Sequence, residues 1–426
     1  MEVWKKNLAV LWTGNFLISV GMSIIIPFLA IYVQELGVTD VKEAALWSSF
    51  IFAINHVALA LFSPMWGRLS DKYGQKRILV VSGVGMCAAI VAMGFVGSPW
   101  GLLALRGVFG TMGGFGPASS ALVAVETPKE RLGKSLGSLQ TSGIAGQLIG
   151  PLAGGVLAST IGMRSAFFIT GFFMAVTVAL VIAFVKETTP RSEFSWKDVF
   201  RKAEVQPIGQ PAAGGGLAAA FRYPFVPLML LTSVLLFMST QSIEPIMTLY
   251  VQTAIETDRV EIVGGLVFGV SAVGTLLTAP LFGRWGDRRG FAGIIVGSLA
   301  LLAAVYALQP FVHQTGPLLA LRFLAGVSIG GLFPALGACL RRLTPKEVQG
   351  SVFGANAGAV SVGCVLGSLF GGFTARWFGF DWIFNVIAVL LLLHAALLAV
   401  VWWKRPMSAS FHEAEADRSH SHGTSA

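Results

Sequence analysis

The chain has 426 residues, of which 54% are hydrophobic and only 12% are charged, and its formal net charge is +9. Its mean hydropathy is +0.74. This composition is too apolar and too poor in charge for an ordinary soluble domain, so it indicates a protein that crosses a bilayer several times.

Apolar runs of about 20 residues, the length that crosses the hydrocarbon core of a membrane, recur along the chain. The predicted spans are 8–33, 44–66, 77–97, 100–124, 133–158, 164–185, 225–252, 261–283, 291–311, 317–340, 350–375 and 381–403. The first is too long for a signal peptide and lacks a small-residue cleavage site. The sequence therefore predicts an all-α integral membrane protein with twelve transmembrane helices.

The basic residues indicate how these spans are oriented. Most of the 30 Lys and Arg residues fall in the segments on the side of both termini. Since basic residues are retained on the cytoplasmic side, we expect a multi-pass protein of the inner (cytoplasmic) membrane with both termini in the cytoplasm. The net positive charge then reflects topology, and no nucleic-acid partner is predicted.

The second half of the chain repeats the first. A Gly-x-x-x-Asp-x-x-Gly pattern at 67–74 recurs at 283–290, and Arg106-x-x-x-Gly110 recurs as Arg322-x-x-x-Gly326, both at a shift of 216 residues. Two further motifs recur at a shift of 217: 127–130 at 344–347, and Gly146, Gly150, Gly154 and Gly155 at Gly363, Gly367, Gly371 and Gly372. With six spans in each copy, two pseudo-symmetric halves around a central cavity are predicted.

The segment between the two copies mixes charged residues with prolines and a run of three glycines, as linkers do. The predicted organisation is an N-terminal six-helix half at 1–186, a cytoplasmic linker at 187–222, a C-terminal six-helix half at 223–405 and a disordered cytoplasmic tail at 406–426. Three histidines in the tail could capture a metal, but a solvated tail is the commoner reading, so no metal site is predicted.

The segment from Gly67 through Asp71 and Gly74 to Arg77 resembles the signature of the major facilitator superfamily. Gly67 and Gly74 are expected to allow a tight turn, with the basic residues at the cytoplasmic surface. The resemblance implies that Asp71 interacts with the N-terminus of the eleventh span, near 350–351, and latches the outward-facing state. The alternative is a turn with no gating role.

The fifth span carries a second signature, which resembles the antiporter motif of the drug:proton exporters in that superfamily. Its residues are Gly146, Gly150, Pro151, Gly154 and Gly155. Small residues four apart let helices pack closely, and Pro151 removes a backbone donor and bends the helix. Glycine packing is common in membrane bundles, so plain helix contact is the alternative. The eleventh span has Ser368 in place of Pro151.

Arg106 lies about six residues inside the fourth span from its outer end. Its guanidinium stays protonated, so it is not expected to carry a proton itself. It could stabilise a nearby carboxylate or hydrogen-bond a neighbouring span, and the family resemblance implicates it in proton coupling. The alternative is that it extends to the outer interface.

Glu244 is the acid that lies well inside a predicted span, whereas the other acids fall at span ends, in loops or at the termini. Alignment of Pro245 with Pro27 places Glu244 opposite Ile26 of the first half. A carboxylate in the membrane is costly in its charged form, which suits reversible protonation. We therefore predict proton coupling or cation binding at Glu244, against a purely structural hydrogen bond.

Several polar side chains within spans could contact a substrate, although hydrogen bonds between helices are the commoner explanation. These candidates are Asn15, Asn55, His56, Gln140, Gln241 and Asn356.

A P-loop and the common hydrolase motifs are absent, so neither ATP nor any cofactor is expected and the protein is predicted not to be an enzyme. The predicted function is proton-coupled efflux of amphipathic drugs, lipophilic or cationic, from a monomer in the lipid bilayer. The main alternative is a transporter of one sugar or metabolite. A non-transporting sensor or scaffold, and a membrane enzyme, are weaker alternatives.

Overall fold

The computed structural model describes residues 2–188, 223 and 225–404, and these residues form helices without strands. The predicted linker and tail lie almost wholly outside the described residues. In the first half the helices are α1 (Val3–Ile25), α2 (Leu29–Glu35), α3 (Val41–Tyr73), α4 (Gln75–Gly94), α5 (Pro99–Thr111), α6 (Phe115–Glu126), α7 (Leu132–Ile161) and α8 (Met163–Phe184). In the second half they are α9 (Val226–Ile243), α10 (Met247–Ala254), α11 (Val260–Arg289), α12 (Ala292–Leu308), α13 (Thr315–Leu343), α14 (Lys346–Trp377) and α15 (Phe380–Lys404).

The twelve predicted spans are confirmed, because the described residues contain 12 helical stretches long and apolar enough to cross a membrane. In the first half α1 with α2 and α5 with α6 each form one span, and α3, α4, α7 and α8 form the others. In the second half the spans are α9, α11, α12, α13, α14 and α15. Several helices exceed the predicted bounds, since a helix can continue past the hydrocarbon core into the polar surface.

Glycines with positive φ repeat at equivalent places in the two halves. Gly74 (φ 96°) and Gly290 (φ 88°) separate spans 2 and 3 and spans 8 and 9. Gly162 (φ 79°) and Gly379 (φ 94°) separate spans 5 and 6 and spans 11 and 12. Because L side chains rarely adopt this conformation, each glycine lets one helix end and the next begin within a few residues. The sequence repeat is thus also a repeat of backbone conformation.

Helix breaks show where the halves agree and where they differ. Span 1 is interrupted at Ile26–Phe28, which contains Pro27, and in the region of span 7 the turn at 244–246, which contains the aligned Pro245, separates α9 from α10. A proline lacks the donor that would continue the helix, which accounts for both breaks. Span 4 is interrupted at 112–114 between α5 and α6, whereas its repeat, α13, is continuous.

The described helices pack into two compact units. One contains the six spans of the first half together with Ile243–Gly269 and Ser368–Trp377, and the other contains the remaining helices of the second half. The added segments are the ends of second-half helices that the predicted topology places outside the cell. These ends therefore belong, by contact, with the first half.

The tight turn expected at Gly67 is wrong. Gly67 lies inside α3, which continues to Tyr73, and the chain turns only at Gly74. A Cβ on Gly67 would have no neighbouring atom within 4 Å, whereas one on Gly74 would lie 2.6 Å from the Glu187 carboxylate. Of the two glycines in the motif, only Gly74 is required by backbone geometry.

This difference gives a paired test. We expect Gly67→Ala to leave the thermal unfolding midpoint unchanged or slightly raised, since alanine favours a helix. Gly74→Ala should destabilise the protein by about 1–3 kcal/mol, because it forces an alanine into a glycine-only conformation. Intrinsic fluorescence melting of the purified protein in detergent measures both, and equal effects would contradict the assignment.

Candidate functional site

The glycines of the fifth span form a close helix contact within the first half. Gly146 and Gly150 in α7 lie against Ser19 and Ser23 of α1, and a Cβ on either glycine would overlap these serines. A Cβ on Gly154 would lie 2.6 Å from the backbone oxygen of Ile24. These three glycines therefore allow backbone-to-backbone packing of spans 5 and 1 within one half.

Gly155 and Pro151 face a different helix. A Cβ on Gly155 would lie 2.8 Å from the backbone oxygen of Glu261 in α11, and a Cβ on Gly265 would overlap the backbone oxygen of Pro151. α7 is one continuous helix with Pro151 inside it. One face of the antiporter-like motif therefore packs against span 1 of the same half. The other face, with Gly155 and Pro151, packs against span 8.

The same arrangement occurs at the repeated position. Gly372 in α14, the counterpart of Gly155, lies against Ser49 of α3, where a Cβ would overlap the serine side chain. Nearby, the rings of Phe50 and Phe373 meet edge to face at 5.7 Å, and Arg376 lies 3.6 Å from the Asp40 carboxylate. Spans 5 and 8 and spans 11 and 2 therefore form equivalent contacts.

Spans 1 and 7 also meet at their breaks. The Thr248 hydroxyl in α10 donates a hydrogen bond to the backbone oxygen of Pro27. Pro27 is buried at the break in span 1. All of these contacts lie in the compact unit that holds the first half, so that unit is closed at the ends that the predicted topology places outside.

Glu244 lies at the break between α9 and α10 and is partly buried. Among the described residues, no basic side chain comes within salt-bridge distance of its carboxylate and no hydrogen bond satisfies it. The adjoining Pro245 and Ile246 are buried. The acid therefore lies at an irregular stretch of backbone. There, gain or loss of its proton would not break an ion pair or a hydrogen bond with the described residues.

Arg106 in α5 is 3% exposed, and its guanidinium carbon lies 5.9 Å from the centre of the Phe52 ring. Its Nε and Nη2 atoms are buried without a hydrogen-bond acceptor among the described residues. The structure therefore buries this charge beside α3 and does not extend it to the outer interface.

The substrate candidates have different environments. Asn15 donates to Ser119 at 2.8 Å, and Asn356 accepts from Ser233 at 2.6 Å, so each joins two helices. His56 Nδ1 lies 2.9 Å from the Phe52 backbone oxygen. Gln140 is exposed, Gln241 is 7% exposed, and the Asn55 Oδ1 atom is buried without a hydrogen-bond partner in the described chain.

The cytoplasmic motif has a neighbour that sequence reasoning missed. The Glu187 carboxylate accepts from the backbone nitrogens of Gln75 (3.1 Å) and Lys76 (3.3 Å) at the start of α4. A carboxylate at a helix N-terminus is favourable. Asp71 and Arg77 are exposed, and the role of Asp71 as a latch stays a prediction.

A second group that sequence reasoning missed surrounds Arg322. Its Nη2 donates to the Gln309 side-chain oxygen at 2.9 Å, and the guanidinium lies 5.8 Å and 5.7 Å from the ring centres of Tyr306 and Phe384. The buried His394 is also paired, with its Nε2 lying 2.8 Å from the Thr232 hydroxyl. Neither partnership has a local sequence signal, although the repeat directs attention to Arg322.

Repeated halves, paired helix breaks and glycine contacts together define a polytopic membrane protein of the two-half transporter type. The Major Facilitator Superfamily model matches residues 11–264 and 229–422. The chain belongs to this superfamily.

Curated relatives agree with this membership, and solved structures share the fold. The "Multidrug resistance protein MdtG" of Serratia proteamaculans (strain 568) is 37% identical over 403 residues, covering 94% of each chain. The protein of the same name from Rahnella sp. (strain Y9602) is 36% identical over 409 residues, covering 95% of this chain and 96% of the relative. A crystal structure of the nucleoside transporter NupG has a TM-score of 0.71 at 12% identity, over 93% of this chain and 99% of that one. A POT family transporter in complex with 5-aminolevulinic acid has a TM-score of 0.70 at 14% identity, over 93% and 95%.

The contact of spans 5 and 8 gives a test. Gly265→Ala should disfavour this contact by about 1–3 kcal/mol, because the added methyl overlaps the Pro151 backbone. With Cys87, Cys339 and Cys364 replaced, a cysteine introduced by Thr248→Cys should then react faster with a membrane-impermeant maleimide added from outside.

Gly143→Ala is the matched control, since a Cβ there would lie 3.7 Å from the nearest side-chain atom, the Ser19 hydroxyl. This variant should label like the parent. Equal labelling rates for both glycine variants would contradict a contact that limits access.

Proposed function

We propose that this chain exports amphipathic, lipophilic drugs across the cytoplasmic membrane in exchange for protons, by alternating access. Its relatives named multidrug resistance proteins cover more than nine-tenths of the chain and support the substrate class. The structural observation that carries the exchange is Glu244, a carboxylate at the break in span 7 that has no fixed partner among the described residues.

Glu244 is the proposed proton site. A charged carboxylate at membrane depth costs about 2.5–3.5 kcal/mol or more, whereas the protonated form is far less costly. A proton taken up from outside after the substrate has left would neutralise Glu244 and permit return to the inward-facing state. Because the return step requires the neutral side chain, proton uptake and drug release are linked.

The contacts of spans 5 with 8 and 11 with 2 are the proposed outer gate. They rest largely on glycines that carry no side chain to interlock, so separation of the helices breaks the Arg376–Asp40 ion pair and the Phe50–Phe373 ring contact but requires little unpacking of side chains. Gly146, Gly150 and Gly154 hold span 5 to span 1 and would move with it, while Gly155 and Pro151 form the surface that opens.

The alternative is a superfamily transporter for one sugar or metabolite. Such a carrier needs several hydrogen-bonding side chains free to bind its solute, because a specific site pairs each polar group of the ligand. Here Asn15 and Asn356 are already engaged between helices. This arrangement favours less specific recognition of lipophilic compounds.

The central test replaces the proposed proton site. In everted membrane vesicles, Glu244→Gln should abolish proton-gradient-driven drug uptake while drug binding to the purified protein persists, because glutamine keeps the shape but cannot ionise. Uptake of a fluorescent substrate, with and without a protonophore, measures the coupling.

Glu256→Gln is the matched control, since Glu256 is an exposed acid beyond α10. It should transport like the parent. Energised uptake that survives both Glu244→Gln and the protonophore would reject proton coupling. A resistance panel in a pump-deficient host with no shift for any compound would instead favour a single-solute carrier.

A further inference from the structure

The two repeated arginines have different surroundings. Arg322 and Arg106 occupy equivalent positions, 216 residues apart, and both are buried, at 7% and 3% exposed. Arg322 is held by the Gln309 side chain and lies against two aromatic rings. Arg106 lies against one ring, and two of its nitrogens have no acceptor among the described residues.

The sequence explains the difference. The segments from Gly74 to Arg106 and from Gly290 to Arg322 have equal length, so Gln309 corresponds to Met93 and Tyr306 corresponds to Ile90. Methionine offers no strong acceptor and isoleucine offers no ring face. The first half therefore lacks the acceptor that binds the Arg322 Nη2 and the tyrosine ring that the Arg322 guanidinium contacts in the second half.

A second unsatisfied polar atom lies on the adjoining helix. The Oδ1 atom of Asn55 is buried without a partner in the described part of α3 and its neighbours. Asn55 lies one turn along α3 from Phe52, and its backbone oxygen would be 2.5 Å from a Cβ on Gly110, which is one turn along α5 from Arg106. Rotated by 180° about χ2, the Asn55 amide would present its two donors to a ligand.

Burial of a charged guanidinium is costly when its N–H donors lack acceptors, and arginine does not lose its proton to avoid this cost. An anionic ligand would supply both the acceptors and the opposite charge. Planar carboxylates fit a guanidinium through two parallel hydrogen bonds. We propose that Arg106, assisted by Asn55, is a subsite for the carboxylate of amphipathic organic anions carried by this protein. This proposal rests on the proposed export function and assigns one substrate class to it.

The close contact of α3 with α5 supports a preformed subsite. Gly110 allows the two backbones to approach so closely that the relative position of Asn55 and Arg106 is set by main-chain packing. A site held by rigid helices loses little freedom when a ligand binds. The charged group would be fixed here, while the lipophilic part of the ligand contacts apolar side chains.

The test compares a fluorescent carboxylate, 1-pyrenebutyrate, with its neutral counterpart, 1-pyrenebutanol, by equilibrium binding to the purified protein in neutral detergent. The parent should bind the carboxylate more tightly than the alcohol. Arg106→Gln should weaken carboxylate binding at least about tenfold, which corresponds to about 1.4 kcal/mol, and leave alcohol binding unchanged.

Two variants keep the test valid if Arg106→Gln does not fold. Met93→Gln retains Arg106 and supplies the acceptor that Arg322 has, so it should weaken carboxylate binding without loss of thermal stability. Arg322→Lys, in the second half, should leave the preference for the carboxylate unchanged. Loss of the preference in Arg322→Lys together with its retention in Met93→Gln would overturn the assignment.

The source of the anion is tested by competition. If the subsite takes a substrate carboxylate, sodium acetate should weaken 1-pyrenebutyrate binding more than sodium chloride does at equal ionic strength. Displacement by chloride alone would overturn the carboxylate assignment in favour of an inorganic anion. Because binding is measured without a proton gradient, a failure of proton coupling would leave this result unaffected.

Discussion

The close backbone contacts along α7 are the constraint on which the rest of the structure depends. In a bilayer the hydrophobic effect does not drive helices together, so packing of small residues must do so. One face of α7 uses Gly146, Gly150 and Gly154 to approach α1, and another uses Gly155 to approach α11. The same helix therefore serves both the integrity of the first half and its contact with span 8.

The proposed functional side chains are found where the two repeated halves differ. Identical halves would offer the same side chains to a ligand from both halves, whereas here Glu244 replaces Ile26, Ser368 replaces Pro151 and Met93 replaces Gln309. Two of these differences, at Glu244 and at Met93, leave polar atoms of a charged side chain without a hydrogen-bonding partner among the described residues. In the proposed mechanism, Glu244 binds the proton and Arg106 binds the anionic substrate, while the polar groups that are paired within the described part of the chain hold the helices.

Much of the architecture could be predicted because membranes impose simple rules. Hydrophobic length predicted the twelve spans, and the spaced glycines predicted close packing of the fifth. The turn was wrongly expected at Gly67 because the sequence alone does not show whether a glycine lies in a turn or in a helix. Only the backbone dihedral angles distinguish the two. The partners of Gly155, Arg322 and Glu187 could not be predicted, since they come from helices far away in the sequence and depend on tertiary packing.

The most direct test of proton-driven export uses the purified chain alone in proteoliposomes. With an acidic lumen, protons flow out, and the account predicts that a lipophilic fluorescent drug accumulates inside above its external concentration until the pH gradient is collapsed. Accumulation that is the same with and without the gradient, or none in either case by protein that still binds the drug, would contradict it.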